Sequence, residues 1–234
     1  MCLFSYKLTH DSGFAPNPFW GALTLATCKP GIRRTKKEGD WIAGFTSKEL
    51  CGDEVGHERL IYLMKVTSKI PINRYFEDTI FKDKIPCGIP DGRAAAETNR
   101  VPQSKTTCSP VRPTDNDVET PCVHQIGDNI YKFEQGVFIR QIRNARHHLK
   151  HQKRDLSGEY VLVSKKFYYF GGRPVEIPDN VRPKIPALQT YYGVQTHDRE
   201  RAKAFIAFVR DNYKLGIHAA PHGWPDSDTS WKSP

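Results

Sequence analysis

The chain has 234 residues, 35 Lys+Arg against 26 Asp+Glu for a formal charge of +9, and 38% hydrophobic positions. That length buries a core without staples, and 26% charged with 11% aromatic residues excludes a wholly disordered chain. No run reaches the roughly 18 apolar residues of a membrane span, the first residues lack the basic and apolar regions of a signal peptide, and six scattered cysteines make no disulfide framework. A soluble, cytoplasmic protein with free thiols and no membrane partner is expected.

In chain order, Leu3 to Thr9 alternates apolar and polar residues with the period of a half-buried strand. The loop Gly13-Phe14-Ala15-Pro16-Asn17-Pro18-Phe19-Trp20-Gly21 follows, stopped by its prolines and rich in rings. Ala22 to Ala26 reads as a second strand. The basic stretch after it is a loop or short helix that closes at Gly39-Asp40. Asp40 to Phe45 and Leu60 to Ser68 are the next strands, and Pro71 opens a short helix to about Thr79 that turns Tyr75 and Phe76 inward. From 82 to 125 six prolines interrupt polar sequence, so an irregular insertion is expected inside one domain spanning 1–234. Strand character returns at Asn129 to Glu134 and in the run Tyr160 to Phe170, and Asp198 to Leu215 is an amphipathic helix with Gly216 past its end. The fold class is therefore α+β, with a mixed, barrel-like sheet and two or three helices.

The net charge is concentrated. Lys29, Arg33, Arg34, Lys36 and Lys37 give +5 between positions 29 and 37. Arg140, Arg143, Arg146, Lys150, Lys153 and Arg154 give +6 between 140 and 154, so the rest of the chain carries −2. Charge gathered this way marks faces for a polyanion, or solvated basic faces.

Phe14, Phe19 and Trp20 on a stiff Pro-x-Pro backbone are suited to stack on a nucleobase, with Asn17 to read its edge; alternatively the rings plug the end of a sheet. Cys28, beside Lys29 and near Arg33 and Arg34, is the cysteine placed for a stabilised thiolate, or it is a buried structural thiol. No spacing names its base. Cys108, Cys122 and His124 match no zinc pattern, and His147, His148 and His151 lie in a basic window that repels cations. No metal is expected. Gly171-Gly172 is turn chemistry, and phosphate-loop and serine-hydrolase motifs are absent, so no cofactor is expected either.

The runs SGFAPNPFWGALTLATCKPGIRRTKKEGDWIAGF, RLIYLMKVTSKIPINRYFED, GDNIY and VLVSKKFYYFGG together resemble the nucleotide modification associated domain 2 family. The resemblance covers most of the chain outside the insertion. It implies a small α+β domain tied to phage and bacterial systems that make or handle modified DNA bases. Its family-like residues are Gly13, Phe14, Asn17, Pro18 and Phe19, then Thr24, Cys28, Lys29, Pro30, Arg33 and Arg34, then Gly39, Asp40 and Trp41. Gly127, Asp128, Asn129 and Tyr131 follow, and then Ser164, Phe167, Tyr169, Phe170 and Gly171. The order of strand, aromatic loop and basic turn is also similar to PUA-like barrels, which implies a cage of Phe14, Phe19, Trp20 and Trp41 with Asn17 and Asp40 on the base edge.

These readings point first to a module that binds DNA or a nucleotide in DNA base modification or in the recognition of modified bases. Its pocket would draw on Phe14, Asn17, Phe19, Trp20, Lys29, Arg33, Arg34, Trp41, Asp128 and Asn129. Arg140, Arg143, Arg146 and Lys150 would hold phosphates. The alternatives are an enzyme on a nucleobase or nucleotide, with Cys28 as nucleophile and Asp40 or a nearby His as acid/base, and a scaffold that docks a DNA-modification enzyme through the insertion.

Overall fold

The structure, a computed structural model, describes residues 2–86, 126–140, 149–187, 194–196 and 199–224. The segment that carries most of the expected insertion lies outside the described residues, as do Arg143 and Arg146. None of the described helices is long and apolar enough to cross a membrane.

Eleven strands and five α-helices follow one another in the described chain. They are β1 (Leu3–Lys7), β2 (Leu23–Leu25), α1 (Pro30–Thr35), β3 (Trp41–Phe45), α2 (Lys48–Cys51), β4 (Leu60–Lys65), β5 (Ser68–Pro71) and α3 (Ile72–Tyr75). Then come β6 (Tyr131–Glu134), β7 (Val137–Arg140), α4 (Gln152–Leu156), β8 (Tyr160–Ser164), β9 (Lys166–Tyr169), β10 (Val194–Thr196), α5 (Arg199–Asn212) and β11 (Gly216–Ile217).

Six strands form a large mixed sheet in the order β10-β1-β3-β4-β9-β11, β2-β8-β5 form a small antiparallel sheet, and β6-β7 is a hairpin. Two expected strands each prove to be two. The run from Leu60 bends after Lys65, and the run from Tyr160 bends at Lys165, so β4 pairs with β9 in the large sheet while β5 pairs with β8 in the small one. The bends turn one two-stranded ribbon through both sheets. No closed barrel is seen among the described residues, where the pairings end at β10 and β11 on one sheet and at β2 and β5 on the other, so the expected barrel-like, PUA-like sheet is not confirmed.

The sheets pack as layers because their strands are apolar on both faces. Tyr6, Ile42, Tyr62 and Met64 meet Leu23, Leu25, Leu162 and Ile32 in one core. The other side of the large sheet, with Ala43, Phe45, Leu63 and Tyr168, is covered by the Phe205, Ile206 and Val209 stripe of α5, as its helical period requires. Beyond the small sheet, Val161 and Val163 pack on Phe14, Ile72, Tyr75, Phe81 and Ile130. The expected insertion begins in ordered structure, because a 3-10 helix runs Thr79–Lys84 and sends Lys84 inward.

Candidate functional site

The start of α1 is built around one carboxylate. Cys28 and Lys29 both take left-handed backbone conformations, which cost energy in residues other than glycine and persist only where their surroundings fix them. Asp155, in α4, supplies the fixing: its Oδ1 accepts the Cys28 N–H at 2.9 Å, and its Oδ2 accepts the Tyr131 hydroxyl at 2.9 Å. Arg33 completes the knot. Its Nε donates to the Cys28 carbonyl and one terminal nitrogen to the Tyr160 carbonyl, both at 2.8 Å, and the other donates to the Asp155 carbonyl. Gly158 is required beside it, since a Cβ there would lie 2.3 Å from the guanidinium carbon. Arg33 is thus fully buried and spends its fork on carbonyls of this chain.

The Cys28 thiol moves opposite to the direction its sequence neighbours suggest. Burial pushes its pKa up, Asp155 adds to the rise, and Arg154 and Arg33 only partly oppose it. Positive charge nearby in sequence is outweighed because Arg33 is engaged elsewhere and the thiol is removed from water. Asp40, the expected acid/base, is buried and accepts the Lys37 N–H at 3.1 Å, closing the turn before β3.

A second buried knot forms around the aromatic loop. Lys84 is buried and donates to the Asn17 carbonyl at 3.2 Å, to Asn17 Oδ1 at 2.7 Å and to the Ala22 carbonyl at 2.9 Å. Three acceptors for three N–H bonds is the coordination of an ammonium. Burial pulls its pKa down to about 8 while Asp128 supports the charge. Asp128 accepts hydroxyls from Thr24 at 2.6 Å and Tyr75 at 2.9 Å, and its own pKa is raised by burial. Asn17 Nδ2 donates to the Ile126 carbonyl at 3.0 Å, so both ends of its amide are spent inside. Asn129 Nδ2 bridges the Tyr75 and Phe81 carbonyls at 3.0 and 3.2 Å. Gly127 is needed for this approach, because a Cβ there would sit 2.1 Å from the Lys84 carbonyl oxygen.

The structure therefore brings Asn17, Thr24, Asp128 and Asn129 together, as a sealed network rather than an open pocket. A shallow depression lined by Ala26, Tyr75, Asp128 and Tyr131 lies alongside, without room for a water molecule. The four rings of the expected cage do not converge. Phe14 is buried beyond the small sheet, and Phe19 is buried with its ring against Trp20 and Trp224. Trp41 instead packs on the α5 side of the large sheet. Trp20 remains half-buried, with Lys84 Nζ 5.6 Å from its ring centre.

The two basic windows do meet. α1 packs against α4, and Asp155 ties them, although a hundred residues of sequence separate them. Arg33 and Arg140 are buried. Lys29 is half-buried with its Nζ 4.8 Å from the Tyr6 ring. Arg34, Lys37, Lys150 and Lys153 are exposed. Sequence reasoning missed Lys84 and Asp155. The first sits in a segment read as irregular. The second is an acid just past a basic window, and nothing local announces its reach to Cys28.

No curated protein and no solved structure matches this chain. The profile of one family, described as nucleotide modification associated domain 2, matches residues 1–99 and 107–228, which include every residue of both knots. That match spans most of the sequence, and the chain belongs to the nucleotide modification associated domain 2 family.

Proposed function

We propose that the protein is a nucleic-acid binding module acting in DNA base modification or in recognition of modified DNA, and that it holds its ligand first by phosphate contacts. One observation carries this reading: α1, with exposed Arg34, is in contact with α4, with exposed Lys153, and exposed Lys150 lies in the 3-10 turn Leu149–His151 that leads into α4, while Asp155 and Arg33 tie α1 to α4. A rigid base with unspent charge on top is what electrostatic capture of a polyanion needs. The family's tie to nucleotide modification supplies the ligand class. Covalent catalysis by Cys28 gains no support, since burial disfavours its thiolate.

Titrating base-modified and unmodified duplex DNA over a range of salt tests the reading. Binding is expected to weaken as salt rises, and replacing Arg34, Lys150 and Lys153 together by alanine should make the log K against log salt plot shallower by about 3. Binding that ignores salt, or no binding to either duplex, would overturn it.

A further inference from the structure

The bends that carry the ribbon from one sheet to the other gather lysines that neither basic window contains. Lys65 ends β4, Lys69 lies in β5, Lys165 sits between β8 and β9, and Lys166 opens β9. Pairing register makes Lys65 the neighbour of Trp41 on one side and of Lys166 on the other, so these three occupy one row on one face of the large sheet. Lys165 is drawn in by its N–H bond to Thr67 Oγ1 at 3.1 Å.

The same bend is stitched to the turn after α1. Gly39 N–H donates to the Val66 carbonyl at 2.9 Å, and Val66 N–H donates to the Asp40 carbonyl at 2.8 Å. Lys69 Nζ donates to the Arg34 carbonyl at 2.7 Å and lies 4.3 Å from the centre of the Tyr160 ring. The four lysines and Arg34, Lys36 and Lys37 therefore gather at one end of the large sheet, a corner where Lys65 and Lys166 stand on the α5 face beside Trp41 and α1 packs on the other face.

Among the described residues three carboxylates lie by these seven cations: Glu38 accepts the Lys69 backbone N–H at 3.1 Å, and Asp40 accepts the Lys37 backbone N–H and supports the charges of Lys36 and Lys69. The third, Glu159, faces Lys69. Among the described residues the side chains of Arg34, Lys37, Lys65, Lys165 and Lys166 make no ion pair or hydrogen bond. Like charges opposite one another on paired strands, as Lys65 and Lys166 are, destabilise a sheet. A ligand of opposite charge removes that repulsion. Of the large hydrophobic residues exposed on the surface, Leu215 precedes β11 and so lies beside β9 near Lys166, and one such side chain makes no apolar wedge for a membrane.

We propose that this corner is a second phosphate-binding surface, with Lys65, Lys165 and Lys166 contacting the phosphodiester backbone of a nucleic acid whose path continues from Arg34 on α1. The proposal rests on the nucleic-acid reading above and extends it to residues outside both basic windows.

The test uses the full chain, a labelled duplex and a single strand, each of about 20 nucleotides per strand, from about 50 to 200 mM salt. The variant Lys65→Gln/Lys165→Gln/Lys166→Gln is compared with a control of equal net charge, Lys48→Gln/Lys82→Gln/Lys203→Gln, whose side chains are exposed elsewhere. The corner variant is expected to lose at least about tenfold in affinity at the lowest salt, with a slope shallower by about 3 on duplex or about 2 on single strand. The control should stay within about twofold, and both should keep the wild-type denaturation midpoint.

Equal losses in the two variants would reduce the effect to overall charge and overturn the proposal. So would wild-type affinity in the corner variant, which would leave the reading based on α1 and α4 intact. Polyglutamate competing as well as DNA would also overturn it, by making the surface one for acidic protein. Absence of salt-dependent binding by the wild-type chain would remove both readings together.

Discussion

The knots around Asp155 and Lys84 use the same kinds of residue as the corner at Lys65 and Lys166, to opposite ends. In the knots each of the three nitrogens of Arg33 and all three N–H bonds of Lys84 are held by a carbonyl or amide oxygen of the chain, and the charge is spent on fixing backbone. At the corner, Lys65, Lys165 and Lys166 hold nothing within the described chain, and Lys65 faces Lys166 across two strands. The lesson is that a cation's role here follows from how many acceptors the fold places around it. Local charge density does not tell Arg33 from Arg34, which are adjacent in sequence yet one is buried and the other exposed.

The comparison breaks most sharply at Asp155. Replacing it by alanine leaves the Cys28 N–H and the Tyr131 hydroxyl without their acceptor and Arg33 without a nearby counter-charge. Urea denaturation should show a loss of about 3–5 kcal/mol. A variant as stable as wild type would show that the knot does not hold α1.

Lys84→Met comes next. It keeps the bulk but leaves Asn17 Oδ1 and the Ala22 carbonyl without their donor, and about 2–3 kcal/mol should be lost. It should also change the pH dependence. The folded pKa of about 8 lies below the ordinary 10.5, so between those values the unfolded chain binds the extra proton and stability rises with pH. Lys84 thus contributes stability present above about 10.5 and lost as pH falls through about 8. Tyr62, Tyr75 and Tyr169, whose pKa values burial raises well above 10, work in the other direction once pH exceeds 10. The window to read is therefore about pH 8 to 9.5, where the raised thiols of Cys28 and Cys51 act alike in both proteins and the stability advantage of wild type over Lys84→Met should grow with pH.

The exposed set sharpens the comparison from the other side. Alanine at Arg34, Lys150 and Lys153 should shift stability by no more than about 0.5 kcal/mol while weakening DNA binding, the reverse of the Asp155 pattern. A stability loss comparable to that of Asp155→Ala would place these residues in the frame instead.

The smallest effect is expected at Cys28. A thiol-reactive probe at pH 8 should modify Cys2, which is exposed, faster than Cys28, because burial holds the latter protonated. Faster labelling of Cys28 would reopen a nucleophilic role.

Much of the fold is legible in the sequence. The apolar alternation of residues 3–9, the stripe of α5 and the β-branched and aromatic run from Tyr160 are local patterns, and β1, α5, β8 and β9 stand where they point. Residues that the family pattern picks out also gather, since Asn17, Thr24, Asp128 and Asn129 meet at one network. What is not legible is which polar groups face inward.

The sequence by itself determined the α+β class, the family and the concentration of positive charge, because composition, periodicity and motif wording are properties of neighbouring residues. Three-dimensional packing sets the course of the ribbon through two sheets, the burial of Arg33, Lys84 and Asp128, and the placing of Lys65 and Lys166 at the same end of the large sheet as the turn after α1. The physical reason is that burial and hydrogen-bond satisfaction are set by groups from distant segments, as Asp155 is for Cys28, and such partners leave no mark on the local sequence.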